Sequence, residues 1–307
     1  ADFSDNASDN ISKTVLIDLA HDNNFDVEEL NVLMLQLISR GLTINFFSVE
    51  DDLEKELLGK EKEEEEELEE EPLDEEKEEE VEEGEEFLGE EKECDEEEHP
   101  GKGLLNEEKE GDEEEEEEIP PIAFIIVSPQ EKFSHEEKKT IDEFVDNGGK
   151  LLLIADPTRN GNISSISLEF GLIFEPDYLY NMKENEINYR NIFVTEFKEN
   201  EITKNLEKIA LYVTGSISST DGGIAFVDQN TFSSMIESRK RLSPLALTQE
   251  SKVLAIYDLT FMTEPYNGTL DNNQLIANIA DWLASAIEEE EEEEEKETPG
   301  REQGRSP

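Results

Sequence analysis

The order of hydrophobic and polar residues at the start of the chain predicts alternating strands and helices. Residues 13–20 (KTVLIDLA) and 42–49 (LTINFFSV) are short apolar runs, rich in β-branched and aromatic residues, that are typical of buried strands. The segment between them repeats its apolar residues at helical spacing after Asp26, which suits an N-cap, and stops before Gly41. Because a helix joining two strands in this way is typical of a right-handed crossover, we expect a parallel sheet.

The same pattern returns after a long charged interruption. Residues 120–129 (PPIAFIIVSP) are nearly all apolar, as expected of a central strand. Ser134 and Glu137 occupy the capping-box positions of a helix that Gly148 closes, and residues 150–155 form a further strand. These units predict an α/β fold: a flavodoxin-like parallel sheet with helices on both faces, interrupted by an insert after its second strand.

Beyond Asn160 the pattern is less regular, with a short helix and several short strands. The last predicted helix begins after Asp271 and carries an apolar stripe that should pack on the sheet. Strands are predicted within residues 171–181, 188–197, 206–219, 222–229 and 252–259.

The charge of the chain is concentrated in two segments. The formal net charge is −57, and most of it lies in the Glu-rich residues 50–119 and in a second run at residues 288–295. These segments hold too few apolar residues to offset the entropy of ordering, so we expect them to be disordered. The predicted organisation is a polar leader (1–12), the first part of the α/β domain (13–49), an acidic insert (50–119), the rest of the domain (120–287) and an acidic tail (288–307).

This charge excludes some partners and leaves others open. A strongly acidic chain is repelled by nucleic acid and by anionic lipid. The Glu runs are interpreted as a solubilising spacer, with weak divalent-cation binding or attraction of basic partners as alternatives. The single cysteine, Cys94, and three scattered histidines form no zinc motif, so we predict no metal site and no cofactor.

Features of the termini favour a secreted chain. The sequence begins without Met, and no apolar run approaches the ~20 residues of a membrane span. We therefore expect an extracellular or cell-surface location, with a membrane tether after residue 307 as an option. Glycosylation sequons in the sequence start at Asn6, Asn10, Asn162 and Asn267.

The segments VLIDLAHDNNF, AFIIVSP, FVDNGGKLLLIADPTR, FGLIFEPDYLYN and NNQLIANIADWL resemble GIFT-type domains. These are relatives of class I glutamine amidotransferases and ThuA-like proteins, and the chain is most similar to their archaeal and bacterial branch. The resemblance covers residues 13–49 and 120–286. It implies a class I glutamine amidotransferase-like fold and an accessory role beside an ABC-type transporter, as in the gliding-motility auxiliary proteins.

The resemblance does not extend to amidotransferase chemistry. The family's enzymes place a cysteine on a sharp turn after a strand, with a histidine and a carboxylate beside it. At the position we match to that turn, this chain has Ala155, Asp156 and Pro157, and Cys94 lies in the acidic insert. We therefore expect no amidotransferase activity.

Polar residues follow three of the predicted strands, where open parallel sheets bind ligands. We expect these groups to hold a polar ligand such as a sugar, with aromatic residues nearby as a stacking wall; the alternative is that they only cap helices and turns. The candidate ligand-binding residues are His21, Asp22, Asn23, Ser128, Gln130, Asp156, Thr158 and Arg159, with Tyr178, Tyr189 and Arg190 as the wall.

Three functions remain open on the sequence. The favoured one is a non-catalytic binding or scaffold module at the cell surface, accessory to an ABC-type transporter or envelope assembly, with a protein or a polar or carbohydrate ligand as partner. The second is a hydrolase or isomerase of small metabolites that uses His21 and Asp156 as an acid–base pair. The third is an acidic, cation-binding surface protein.

Overall fold

The computed structural model describes residues 13–60, 119–237 and 241–285. All of them belong to one of the two units into which the chain divides; the other unit, residues 63–117, lies outside the described residues. The strands are β1 Thr14–Asp18, β2 Thr43–Phe47, β3 Ala123–Val127, β4 Lys150–Ile154, β5 Ile173–Phe174, β6 Leu179–Asn181, β7 Asn191–Val194, β8 Glu196–Phe197, β9 Ile209–Tyr212, β10 Ile217–Ser218, β11 Gly223–Phe226, β12 Thr231–Ser233, β13 Leu245–Thr248 and β14 Val253–Ile256. The helices are α1 Asn31–Ile38, α2 Leu53–Leu58, α3 His135–Asp146, α4 Ser164–Ser167 and α5 Asn272–Ala284, with 3-10 turns at Val27–Leu30, Leu168–Phe170, Thr260–Met262 and Tyr266–Gly268.

An eight-stranded sheet forms the centre of the fold, in the order β2-β1-β3-β4-β14-β13-β11-β8. Neighbours from β2 through β14 are parallel, which confirms the predicted α/β fold with a flavodoxin-like sheet. The sheet then continues with three antiparallel strands, which the sequence did not predict as part of it. The carboxyl ends of five adjacent strands therefore meet at one edge, called here the carboxyl edge.

Helices cover both faces of the sheet, as predicted. α1 and α5 pack together and bury Leu33, Leu37 and Ile279 in one apolar core, which also takes Ile17 and Ile154 from the sheet. α2 and α3 pack together on the opposite face. Their core contains Leu57 and Ile141 with Leu16, Phe124 and Leu153 of the sheet.

The turn from α3 into β4 depends on two consecutive glycines. Gly148 has φ of +99°, a conformation that L side chains rarely adopt. Gly149 passes so close to Phe144 that an added Cβ would lie 2.4 Å from its ring. This tight turn delivers the chain from α3 directly into β4, which ends beside Asp156.

α2 lies within the residues assigned above to the disordered insert. Asp52 caps it, since its carboxylate accepts hydrogen bonds from the Glu54 and Lys55 amides at 3.0 and 3.3 Å. Leu53 and Leu57 are buried against the α3 side of the sheet. The first residues of the predicted insert, up to Lys60, are therefore part of the folded domain.

Several predicted features lie outside the described residues: the leader with Asn6 and Asn10, most of the acidic insert with Cys94, and the acidic tail. Among the helices that are described, none is both long and apolar enough to cross a membrane. No group of histidine, cysteine and carboxylate side chains in the described ranges could hold a metal ion.

Candidate functional site

The carboxyl edge carries buried polar residues at the ends of four adjacent strands. Asp18 ends β1, Ser128 follows β3, and Asp156 and Asp258 each stand two residues beyond β4 and β14. All four are at most 3% exposed. Ser128 and Asp156 are among the residues predicted from the sequence, whereas Asp18 and Asp258 are not, and the polar residues of this edge divide into two groups on opposite faces of the sheet.

His21 belongs to the group on the α3 face. Its Nδ1–H donates to Asp18 at 2.9 Å, and its Nε2 lies 3.3 Å from the Glu137 carboxylate on α3. The imidazole stacks on Phe133 with ring centroids 3.7 Å apart. Burial lowers the pKa of His21, but its hydrogen bonds and charge attraction to Asp18 and Glu137 outweigh this and raise the pKa above 6.5. The imidazole therefore lies between two carboxylates, which favour its protonated form.

The remaining residues of the β1 loop are also paired. Asn23 donates to the Asp18 carboxylate and to the Val127 carbonyl, both at 3.0 Å. The Gln130 side chain donates to the carbonyl and carboxylate of Asp22, both at 3.1 Å. These bonds fasten the loop after β1 to the loop after β3.

Ser128 occupies a strained turn directly after a central parallel strand. Its φ is +39°, and its buried Oγ has no hydrogen-bond partner. The resemblance to class I glutamine amidotransferases predicts the sharp turn at Ala155–Pro157 instead. In the structure the residue with positive φ beyond a parallel strand is Ser128, one strand away, and no residue from 155 to 157 has this conformation.

Asp156 lies on the opposite face from His21. One carboxylate oxygen accepts from the amide and the hydroxyl of Thr158, and the other accepts from the Leu259 amide at 3.3 Å. Both nitrogens of His21 are engaged by other carboxylates. Among the described residues, the carboxylates that contact His21 are Asp18 and Glu137, and no hydrogen bond or ion pair joins it to Asp156.

Asp258, next to Asp156 on the neighbouring strand, was missed by the sequence reasoning. It is fully buried; one oxygen accepts from the Tyr212 amide at 2.6 Å and the other, Oδ1, has no partner. Burial, followed by the nearby charge of Asp156, raises the pKa of Asp258 well above its ordinary value. Backbone hydrogen bonds from Tyr212, Thr260 and Phe261 oppose this rise of the pKa but do not cancel it.

Arg159 is occupied by an ion pair that spans the edge. Its guanidinium binds both carboxylate oxygens of Glu29, and one nitrogen also donates to the Asn24 carbonyl at 3.0 Å. Burial raises the pKa of Glu29, but the Arg159 hydrogen bonds outweigh it, so the pKa is lowered overall. Arg159 thus joins the loop after β4 to the first turn of the helical segment after β1.

The predicted stacking wall exists as a cluster of its own. The guanidinium carbon of Arg190 lies 4.4 Å from the Tyr178 ring centroid and 5.5 Å from that of Tyr189. The Val213 amide donates to the Arg190 carbonyl, which brings the cluster near the Asp258 end of the edge. Within the described residues, no hydrogen bond or ring contact joins it to His21, and the expected single site is not formed.

Two cavities lie away from the carboxyl edge. One, of about 850 Å³, is lined by residues of β12 and its neighbours, including Tyr180, Phe232 and Met235. The other, of about 600 Å³, lies beside Ser218 and Asp221. Neither is lined by any of the residues predicted as ligand-binding.

Two sequons fall on described residues. The Asn162 side-chain amide donates to the Gln130 carbonyl, and that of Asn267 donates to Asn273 at 2.9 Å. Both side chains are partly exposed, and attachment of a glycan would require these bonds to break.

No protein-family model matches the chain, and no curated protein matches it in sequence. Among solved structures, the mmIFT52 N-terminal domain is similar with a TM-score of 0.56 and 13% identity, over 88% of this chain and 96% of that one. Alpha-L-fucosidase isoenzyme 2 from Paenibacillus thiaminolyticus has a TM-score of 0.39 and 11% identity, over 91% of this chain and 33% of its own length. A ThuA-like protein from Parabacteroides merdae has a TM-score of 0.40 and 10% identity, over 89% and 90%. The last two scores are too low to support an argument. The chain shares its fold with the mmIFT52 N-terminal domain.

Proposed function

We propose that this chain is a non-catalytic binding or scaffold module. The observation that carries the proposal is the internal pairing of the carboxyl edge: His21 binds Asp18 and Glu137, Arg159 binds Glu29, and Gln130 binds Asp22. A substrate would have to compete with these partners for the same hydrogen-bonding groups. Here they link the loops of the edge to one another.

The pairing also opposes the hydrolase or isomerase alternative. A general base needs a nitrogen with a free lone pair within reach of the substrate. Both nitrogens of His21 face carboxylates, its raised pKa favours the protonated form, and the side chain is 4% exposed. The Ser128 hydroxyl has no hydrogen-bond partner. Both nitrogens of His21, in the loop after β1, already face carboxylates, so His21 is not free to activate that hydroxyl.

The finer parts of the proposal rest on the sequence. Membership of the GIFT-type group is supported by the quoted motifs, and a likeness of fold to the mmIFT52 N-terminal domain fits it. A cell-surface location and an accessory role beside an ABC-type transporter are proposed from that resemblance and from the four sequons. Their test is co-purification of an ATPase and a permease with the tagged chain from the membranes of its source cells.

The test of the non-catalytic role is an activity screen on matched variants. The intact chain would be assayed with chromogenic esters, amides and glycosides, beside His21→Gln, Asp18→Asn and the exposed-histidine control His135→Gln. We expect no turnover that depends on His21. Turnover that is lost in His21→Gln and Asp18→Asn but kept in His135→Gln would overturn the proposal.

A further inference from the structure

The outer face of the small sheet formed by β6 and β12 is aromatic. Phe232 is directly opposite Tyr180 across the two strands, with ring centroids 6.0 Å apart, and Tyr178 follows at 6.2 Å from Tyr180. The alternate residues, Leu179 and Asn181, are buried beneath. Because strand side chains alternate, the three rings form one row, called here the aromatic face.

The aromatic face is exposed and continues into apolar residues. Phe232 is 54% exposed and Met235 is 64% exposed. Tyr, Phe, Met and Arg are the residue types enriched at the centres of protein–protein interfaces. Here all four occur together, since Arg190 stacks on Tyr178 at one end of the row.

A groove runs along this face. Tyr180, Phe232 and Met235 line the 850 Å³ cavity, which shares Ile236, Arg241 and Leu242 with the 600 Å³ cavity. The two cavities therefore adjoin and form one depression, which is aromatic and apolar beside Tyr180, Phe232 and Met235 and more polar in the smaller cavity, where Ser and Thr residues predominate. This shape suits an extended segment better than a compact small molecule.

The charges around the larger cavity are mostly negative. Among its described lining residues are Glu196, Asp228 and Glu237 against one cation, Arg241, and that guanidinium is paired with Glu196. The whole chain carries −57, so its field attracts cations over long distances. Both the groove and the chain are complementary to a basic partner.

The polar groups of the groove disfavour a glycan. The Ser233 hydroxyl donates to Asp177, that of Thr231 donates to Asp228, and that of Ser234 accepts from the Tyr178 amide. Because these hydroxyls are already bonded within the protein, they offer few sites for the many hydroxyls of a sugar. Apolar side chains need no such partners.

We propose that the aromatic face and its groove bind an extended segment of a partner protein, in which Lys or Arg residues lie beside apolar side chains. The apolar side chains would cover Tyr180 and Phe232, and the cations would face Glu237 and Asp228 or stack on the rings. This inference deepens the proposed binding function and rests on it.

The experiment is a selection of peptides on the full chain. A random displayed peptide library would be enriched on the wild-type protein and then tested by fluorescence anisotropy on variants. Phe232→Ala removes the centre of the aromatic face, and Phe46→Ala is its control, since Phe46 is 42% exposed on the sheet edge at β2. Glu237→Lys tests the charge, with the exposed Glu201→Lys as a control of equal net charge.

We expect enriched peptides to combine Lys or Arg with apolar residues, and to lose about tenfold or more in affinity on Phe232→Ala and Glu237→Lys. The two controls should bind within about twofold of wild type. If each test variant and its control lose the same affinity, the peptides bind through general attraction to the acidic chain and not through the aromatic face. That result would overturn the proposal. If no peptide is enriched and the protein instead binds glycans on an array in a way that depends on Phe232, the ligand is a carbohydrate and the proposal is overturned. These experiments measure binding and not catalytic turnover. Failure of the peptide-binding proposal can therefore be distinguished from failure of the proposed non-catalytic role, which the activity screen tests.

Discussion

His21 and Asp18 are joined by a hydrogen bond of 2.9 Å between the imidazole Nδ1–H and the carboxylate, at the end of the first strand. Asp18 is fully buried, and its second oxygen accepts from Asn23. The bond therefore neutralises a buried carboxylate and fixes the imidazole against Phe133. This pair is central to the proposed non-catalytic role of the carboxyl edge, and it has measurable consequences for stability.

Stability should fall as the pH rises through the pKa of His21. The pKa is raised in the fold, so the folded state binds the proton more tightly than the unfolded chain does. The stabilisation is complete below the ordinary value of about 6.5 and is lost as the pH passes the higher folded value. Urea unfolding between pH 5 and about pH 9 measures this. His21→Gln should make the slope smaller, leaving the part that comes from Asp258, and His135→Gln should keep the whole slope; an unchanged slope in His21→Gln would contradict the assignment.

Asp258→Asn should stabilise the protein at neutral pH. A carboxyl whose pKa is raised in the folded state destabilises that state as the pH rises above about 4, because the carboxyl ionises more readily in the unfolded chain. Asparagine keeps an oxygen for the Tyr212 amide and cannot ionise. We expect a gain of about 1–3 kcal/mol at pH 7 that shrinks towards pH 4, measured by urea unfolding. The exposed control Asp221→Asn should change little, and a gain independent of pH would contradict this explanation.

The two Arg–Glu pairs found among the described residues should differ in their contribution to stability. Glu29 and Arg159 are each 22% exposed, whereas Glu196 and Arg241 are 53% and 61% exposed. Solvent screens the second pair more strongly. Glu29→Gln, which retains the capping-box oxygen, should destabilise by about 1 kcal/mol, and Glu196→Gln by less than about 0.5 kcal/mol. Equal effects in thermal melts would show that burial of the first pair is unimportant.

α2 should be required for full stability although it precedes a Glu-rich sequence. Leu57 is 1% exposed, so Leu57→Ala should destabilise by about 2–4 kcal/mol, whereas Val49→Ala at an 80% exposed site should cost less than about 0.5 kcal/mol. Replacing residues 61–118 with a short Gly/Ser linker should leave one cooperative melt near the wild-type temperature. Replacing 53–117 should lower that temperature, and equal melting of the two deletions would contradict a structural role for α2.

Local patterns predicted most of the parallel half of the fold. The capping residues Ser134 and Glu137, the Gly148 turn and the apolar strands are all short-range signals, and the structure contains them. α2 was not predicted, because the Glu residues around it led us to assign the whole segment to the disordered insert. Its own signal was present, because Leu53 and Leu57 have the i, i+4 spacing of one helix face. β12 and β13 have only three or four residues each, too few for a periodic pattern.

The sequence does not show on which face of the sheet each polar residue at a strand end lies, and this decides which side chains pair in the candidate site. β4 is buried along its whole length and β1 nearly so, and alternation does not reveal which face an end residue takes when both faces are apolar. Asp18 therefore lies on the α3 face and Asp156 on the other, although both follow apolar strands. Asp258 reaches Asp156 through pairing of β14 with β4, about a hundred residues apart, which no local pattern reports.

The most direct test of the closed carboxyl edge is an NMR titration of the two ring nitrogens of His21 in the intact chain. Both should carry protons below the titration midpoint, and this midpoint should lie above that of the same residue in the unfolded chain. Asp18→Asn should lower this midpoint, and Asp221→Asn should leave it unchanged. A midpoint at or below that of the unfolded chain, with an unprotonated Nε2 at neutral pH, would mean that His21 is available as a base and would contradict its proposed pairing role.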